Sequence, residues 1–223
     1  MLIHPIAVSP WQANCYLVTA SEDVAECVII DPGITAAEPV EAAIRERGLL
    51  PQAILATHGH LDHVGDAHLI AARWGLPVYL AEADQHLLIH PADGLGPHGA
   101  AMMQQLTGSD TLPPIEDVRD YGDPFEVAGL AVETFAAPGH TKGSMLLQVT
   151  SPEITVVFSG DVLFAGTIGR TDLPGGSMSE MRDSLRRIAE HFPADSPLLP
   201  GHGQPTSLAR EIATNPYLQP GNL

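Results

Sequence analysis

Short apolar runs bounded by turn residues recur from the first residues onward. Leu2 to Val8, Asn14 to Val18 and Cys27 to Asp31 read as strands, with Ser9-Pro10 and Ser21-Glu22-Asp23 between them, and such short connections predict antiparallel pairing. At Asp31-Pro32-Gly33 the period changes. From Ala36 to Arg47, apolar Val40, Ala43 and Ile44 alternate at helical spacing with Glu38, Glu41, Arg45 and Glu46, and Gly48 supplies the stop. Ala53-Ile54-Leu55-Ala56 is then a buried strand. Asp62 to Arg73 reads as one helix with Asp62 capping its N-terminus, and Pro77 to Ala81 as a further strand. Strand, helix and strand in alternation predict a layered α/β architecture.

Between Asp84 and Asp123 the pattern degrades into Pro, Gly, His and Asp around a short apolar segment, Ala100 to Leu106. Irregular stretches of this length are usually lids or binding loops, so this one is expected to cover a site, with Met102 or Met103 as candidate substrate contacts and a packed helix as the simpler role for that pair. His86, His90 and His98 receive no assignment. Beyond it, Phe125 to Val127 and Leu130 to Phe135 alternate about Gly129 as a hairpin. Met145 to Val149, Ile154 to Phe158 and Pro197 to Pro200 are further strands, and Met178 to His191 is a helix after Gly175-Gly176-Ser177. With no repeat, low-complexity tract or linker, residues 1–223 are read as a single domain.

Composition narrows the partners. A net charge of -17 with only 10 Lys and Arg argues against nucleic acid and anionic membranes, whose affinity comes from cationic side chains. Cys15 and Cys27 lack C-x-x-C spacing and sit in apolar runs, which reads as two buried, reduced thiols. No leader-like start or membrane-length apolar run is present, so a cytoplasmic location is expected.

The chemistry concentrates in Thr57-His58-Gly59-His60-Leu61-Asp62-His63, three imidazoles and a carboxylate directly after an apolar strand. On extended backbone His58 and His60, two apart, project to the same side and can share a metal. His140, in Ala137-Pro138-Gly139-His140-Thr141-Lys142-Gly143-Ser144, follows a strand in the same manner. So do Asp161, in Phe158-Ser159-Gly160-Asp161, and His202, in Pro200-Gly201-His202-Gly203. Seven candidate ligands exceed what one tetrahedral zinc takes, which points to two adjacent metals. The expected partition is His58, His60 and His140 on one, Asp62, His63 and His202 on the other, and Asp161 bridging both together with a water.

In their order and spacing these motifs resemble those of the metallo-β-lactamase superfamily over nearly the whole chain. The resemblance implies an αββα sandwich, two mixed sheets flanked by helices, with the seven residues as metal ligands, Asp62 and Asp161 central to catalysis, and Asp31 behind a ligand histidine. Asp161 stands where true metallo-β-lactamases carry Cys or Ser, which disfavours antibiotic hydrolysis. Asp161 to Gly176 resembles the glyoxalase II branch, the hydroxyacylglutathione hydrolases, in which a basic residue matching Arg170 holds the glycine carboxylate of glutathione; an ion pair with Asp172 is the structural alternative for Arg170. That branch's tyrosine is replaced by Thr171 and Asp172. The C-terminal helical domain of its full-length members has no counterpart, as in short single-domain forms.

The resemblance therefore implies a metallo-hydrolase that cleaves hydroxyacyl-glutathione or a related small thioester by a metal-bound hydroxide. Two divalent ions are expected, zinc foremost, with iron or manganese as alternatives. The runner-up is a persulfide dioxygenase using one iron on His58, His140 and Asp161, a two-His, one-carboxylate set. A non-catalytic metal-binding module is the third reading.

Overall fold

The computed structural model describes residues 1–219, 221 and 222 of the chain. The first sheet takes β1 (Leu2–Val8), β2 (Ala13–Thr19), β3 (Glu26–Ile30), β4 (Leu50–Leu55), β5 (Val78–Tyr79) and β6 (Val118–Arg119) in that order. Its first three strands are antiparallel and the rest join in parallel, through α1 (Ala37–Arg47) and through α2 (Leu61–Val64) with α3 (Ala67–Trp74). α4 (Gly99–Thr107) precedes β6. The second sheet contains β7 (Phe125–Val127), β8 (Leu130–Ala136), β9 (Met145–Thr150) and β10 (Thr155–Gly160). A small hairpin, β11 (Leu163–Phe164) and β12 (Thr167–Ile168), then α5 (Met178–His191), lead to β13 (Pro197–Pro200), which pairs in parallel with β10; β14 (Thr206–Ser207) and α6 (Leu208–Thr214) follow.

Side-chain alternation explains the layers. On β2, Cys15 and Leu17 pack with Val40, Ile44 and Ile70 of the helices, whereas Tyr16 and Val18 turn inward to meet Leu147, Val149 and Phe158 of the second sheet. The second sheet repeats the rule, with Val157 facing Met181, Leu185 and Ile188 of α5. Helices thus cover both outer faces of two packed sheets, the expected αββα order. Phe158, fully buried and edge-on to Tyr16 at 5.1 Å, is a keystone of the inter-sheet core. Its truncation to Ala would cost about 3–5 kcal/mol.

Two expectations need correction. The helix read from Asp62 to Arg73 is two helices, and Asp62 lies inside the first turn of α2 without capping it. The break falls at Gly65-Asp66: a side chain on Gly65 would strike the Leu61 carbonyl and Ile34, and the Asp66 carboxylate is drawn away to accept from Ala37 N–H at the start of α1, 2.8 Å off. The 84–123 stretch is also more regular than its composition suggests. It holds 3-10 turns at Glu82–Leu88 and Pro91–Gly94 as well as α4 and β6, all too short to show a sustained period. Among the described residues no helix is long and apolar enough to cross a membrane.

Candidate metal centre

The strand ends deliver the chemistry to one edge of the sandwich. After β4, Thr57 is clamped by Asp31, whose carboxylate accepts from Thr57 N–H and from the Thr57 hydroxyl, each at 2.7 Å. With its own proton given to Asp31, the Thr57 oxygen can accept from His58 Nδ1–H at 3.1 Å. His58 therefore presents Nε2 to the site. Asp31 also accepts from His63 Nδ1 at 3.0 Å, so the same carboxylate sets the orientation of His63. It lies 1 % exposed, just past β3, on backbone at φ +52°.

His140 donates Nδ1–H to the Arg170 carbonyl at 2.7 Å and turns Nε2 to within 2.8 Å of His60 Nδ1. Asp161 follows Gly160, whose φ of +48° and whose closeness to Thr57 (an added Cβ would lie 2.5 Å from its hydroxyl oxygen) leave room only for glycine. His202 follows Gly201, where an added Cβ would meet Asp161 Oδ1 at 2.2 Å. Its loop is held by β2, because Tyr16 O–H and Asn14 Nδ2 both donate to the Pro200 carbonyl.

All seven candidate ligands come together. Ligand atoms of His58, His60 and His140 lie within 4.8 Å of one another, as do those of Asp62, His63 and His202, and a third grouping joins His58, His63 and Asp161. Asp161 stands between the ends: its Oδ1 is 3.4 Å from His63 Nε2, and its Oδ2 is 3.6 Å from His140 Nε2 and 3.5 Å from His202 Nε2. Asp62 Oδ2 is 3.2 Å from His202 Nε2. His86, His90 and His98 belong to none of these groupings among the described residues.

The donor set fits metal ions. His58 Nε2, His60 Nε2 and Asp161 Oδ1 are buried with no hydrogen-bond partner among the described residues, a costly arrangement unless a cation is supplied. Burial, reinforced by the imidazoles around it, holds His58 well below the usual histidine range, and burial with His140 beside it holds His60 down to about 3. Both are neutral, as ligands must be. The other end differs. Burial alone would depress His63, yet Asp161, Asp62 and Asp31 outweigh it and push it up to about 10, so that position calls for positive charge. Burial opposes the charge on Asp62 too, but His63 and His202 hold its carboxyl well below the usual carboxylate range.

A cavity of about 360 Å³ opens onto the cluster. His60, Asp62, His140, Asp161 and His202 form its floor, and Trp11, Leu95, Met102, Phe164 and Leu173 its walls, with Arg170 at the rim. Met102 faces this space, while Met103 is fully buried in the core. The 84–123 stretch thus does reach the site, through Leu95 and Met102. Arg170 pairs bidentately with Asp172, Nε to Oδ1 at 2.7 Å and Nη2 to Oδ2 at 2.8 Å, with its side chain 60 % exposed.

Sequence reasoning missed Asp84. It is 2 % exposed and accepts from Gly59 N–H at 3.0 Å, the Thr141 hydroxyl at 2.6 Å and Gly143 N–H at 2.9 Å, tying the loop of His58 and His60 to the loop of His140. Flanked by Glu82, Gln85 and His86, it reads as one more polar position of a surface turn. Trp11 was missed likewise, within a turn that reads as mere punctuation.

Residues 8–202 match the family described as Metallo-beta-lactamase superfamily. An uncharacterized protein of Mycobacterium tuberculosis, Rv2581c, is 37% identical over 98% of both chains. The hydroxyacylglutathione hydrolase GloC of Haemophilus influenzae is 33% identical, again over 98% of each. Among solved structures, the BLEG-1 B3 metallo-beta-lactamase superposes with a TM-score of 0.83 at 32% identity, covering 98% of this chain and 100% of its own. TTHA1623 in a di-iron-bound form gives 0.78 at 35% identity, with 96% and 100% covered.

Proposed function

Because the chain belongs to the metallo-beta-lactamase superfamily, we propose that it is a two-metal hydrolase of small thioesters, resembling the hydroxyacylglutathione hydrolases. The observation that carries this reading is the convergence of seven ligand side chains in two groups that Asp161 touches at once. His58, His60 and His140 would hold one ion, Asp62, His63 and His202 the other, and Asp161 both. Divalent ions bound there supply Lewis acidity, bringing the pKa of water from 15.7 toward about 7 and polarising an acyl carbonyl.

The chain's own residues do the rest. Thr57, Asp31 and the Arg170 carbonyl each occupy the Nδ1 of a ligand histidine, which fixes the nitrogen left to face the site. Asp62 and Asp161 bring the negative charge that two adjacent cations require. Among the described residues no Ser, Thr or Cys lines the cavity, and with its carboxylates and imidazoles assigned to the ions, water is the nucleophile of this reading.

The test is metal analysis of protein purified without added metal, followed by assay on S-D-lactoylglutathione, a neutral N-acetylcysteamine thioester and a chromogenic cephalosporin. About two metal equivalents and thioester cleavage are expected, and zinc is the metal favoured. A single iron with Asp62, His63 and His202 unmetallated would overturn the two-metal reading and point to an oxygenase. Cleavage of the cephalosporin alone would overturn the thioester reading.

A further inference from the structure

Resting on the thioesterase reading, we infer that the cavity selects thioesters with an apolar acyl group, and that Trp11 and Met102 determine this selectivity. Five large apolar side chains, Trp11, Leu95, Met102, Phe164 and Leu173, line the cavity that opens onto the ligand cluster. Beside His202 stand Phe164, its ring edge-on to that imidazole at 6.1 Å, and Trp11. Leu95 follows Gly94, where an added Cβ would lie 2.9 Å from the His60 ring, and Leu173 lies 3.7 Å from a Cβ added at Gly96, on the same loop as Leu95. These side chains come from four separate segments of the chain, so no single amphipathic element accounts for their convergence.

Trp11 is the most informative. It is 40 % exposed, an unfavourable position for so large an apolar ring. It is also held there: the Ser9 hydroxyl accepts from Trp11 N–H at 3.2 Å and from Ala13 N–H at 3.5 Å, Ser9 N–H donates to the Thr35 hydroxyl at 3.1 Å, and Ser9 and Gln12 both take positive φ. The turn is braced, and Ala13 bridges to His202 on its far side. A braced turn that presents an exposed aromatic ring beside a reactive centre is built for contact with a ligand.

Charge points the same way. Glutathione carries two carboxylates, but the cavity lining offers one cationic side chain, Arg170, whose Nε and Nη2 are already taken by Asp172. A thioester of a neutral thiol does not have to compete with Asp172 for that guanidinium, which is why the acyl series is read on a neutral carrier.

The experiment measures kcat/KM over acetyl, butanoyl and hexanoyl thioesters of N-acetylcysteamine, beside S-D-lactoylglutathione. A fully buried methylene is worth about fourfold, and in a cavity open on one side the series should rise roughly tenfold from acetyl to hexanoyl. Trp11→Ala and Met102→Gln should each lower the hexanoyl-to-acetyl ratio severalfold. A second reading needs no catalysis: in metal-free protein, hexanamide but not acetamide should shift the emission of Trp11, identified by its loss in Trp11→Phe. A flat acyl series, or lactoylglutathione preferred over hexanoyl thioester by tenfold, overturns the inference and leaves the thioesterase reading standing. If no thioester is cleaved and hexanamide still shifts Trp11, the reaction class falls and the apolar site stands.

Discussion

The two ends of the ligand cluster are made from similar side chains and prepared in opposite ways. At one end His58, His60 and His140 are 1 %, 5 % and 3 % exposed, and the ring N–H groups of His58 and His140 go to uncharged oxygens, the Thr57 hydroxyl and the Arg170 carbonyl. Burial keeps His58 and His60 neutral. At the other end His63 is just as buried but gives its N–H to a carboxylate, and it faces two more. His202 stands a quarter exposed to the cavity beside Asp62. The first end is a preformed imidazole cage; the second is a patch of negative charge that wants a cation. Asp161 reaches toward both, with His63 and His202 on one side and His140 on the other.

Breaking the shared member should have the largest effect. Asp161→Asn keeps the size and removes the charge that balances two cations. We expect loss of about one metal equivalent, with a fall in kcat of roughly a thousandfold, since several kcal/mol of charge stabilisation go with it. Far-ultraviolet circular dichroism should stay unchanged. Two tightly held metals and near-normal turnover in this variant would mean that Asp161 bridges nothing.

A change at Asp84 separates the ends. In Asp84→Asn, one lobe of the side chain becomes an NH₂ group, and whichever lobe it is, either Gly59 N–H or Gly143 N–H then faces a donor. Gly59 lies between His58 and His60, and Gly143 lies three residues after His140, so the imidazole cage should loosen while Asp62, His63 and His202 stay in place. Chelator competition should show the affinity of one metal weakened about 10–100-fold and the other little altered. Equal weakening of both would assign Asp84 to general stability. Asp31→Asn is the contrasting control, because Asp31 supports both His63 and, through Thr57, His58.

Asp84 also marks where sequence reading stops. The convergence of the seven candidate ligands was legible because each follows a strand end, most with a glycine beside it, and the motif at 57–63 alone concentrates four of them. The layers were legible because β2, β3 and β4 are short apolar runs bounded by turn residues and interleaved with an amphipathic helix. Asp84 has partners 25, 57 and 59 residues away, and nothing local announces them. The split between α2 and α3 depends on Asp66 being claimed by the start of α1, and β6, β11 and β12 are two residues each, too short for any period.

Arg170 is expected to matter less than its position suggests. Its backbone carbonyl orients His140, and no side-chain substitution removes that contact. Its guanidinium is solvent-exposed and paired with Asp172, so a substrate carboxylate must share it. Exposed pairs are worth about 0.2–1 kcal/mol. Arg170→Ala should therefore raise KM for lactoylglutathione by no more than about fivefold, with kcat nearly unchanged, because a remote contact is made alike in ground and transition states. A large fall in kcat would show instead that the side chain helps hold the His140 loop, and the imidazole cage would then depend on a surface ion pair.

The smallest effect should come from the thiols, and it sharpens the comparison by excluding a third participant. Cys15 lies on β2 with Asp31 near enough to act on it, which places a potential nucleophile just behind the carboxylate that orients His63. Burial first, and then the charge of Asp31, push the Cys15 thiol well above its ordinary range; burial alone pushes Cys27 up to about 12. A thiolate is the reactive form, and neither side chain lines the cavity. Native protein should thus react with an aromatic disulfide reagent at pH 8 far more slowly than the unfolded chain, which exposes two thiols. Cys15→Ala should keep kcat within about twofold and lower the melting temperature modestly, as the loss of one buried atom does. Hydrolysis in water enriched in heavy oxygen should place the label in the acid product on the first turnover. Unlabelled first-turnover product, or an inactive Cys15→Ala that still holds both metals, would replace water by a protein nucleophile and make the negative end of the cluster that nucleophile's activating base.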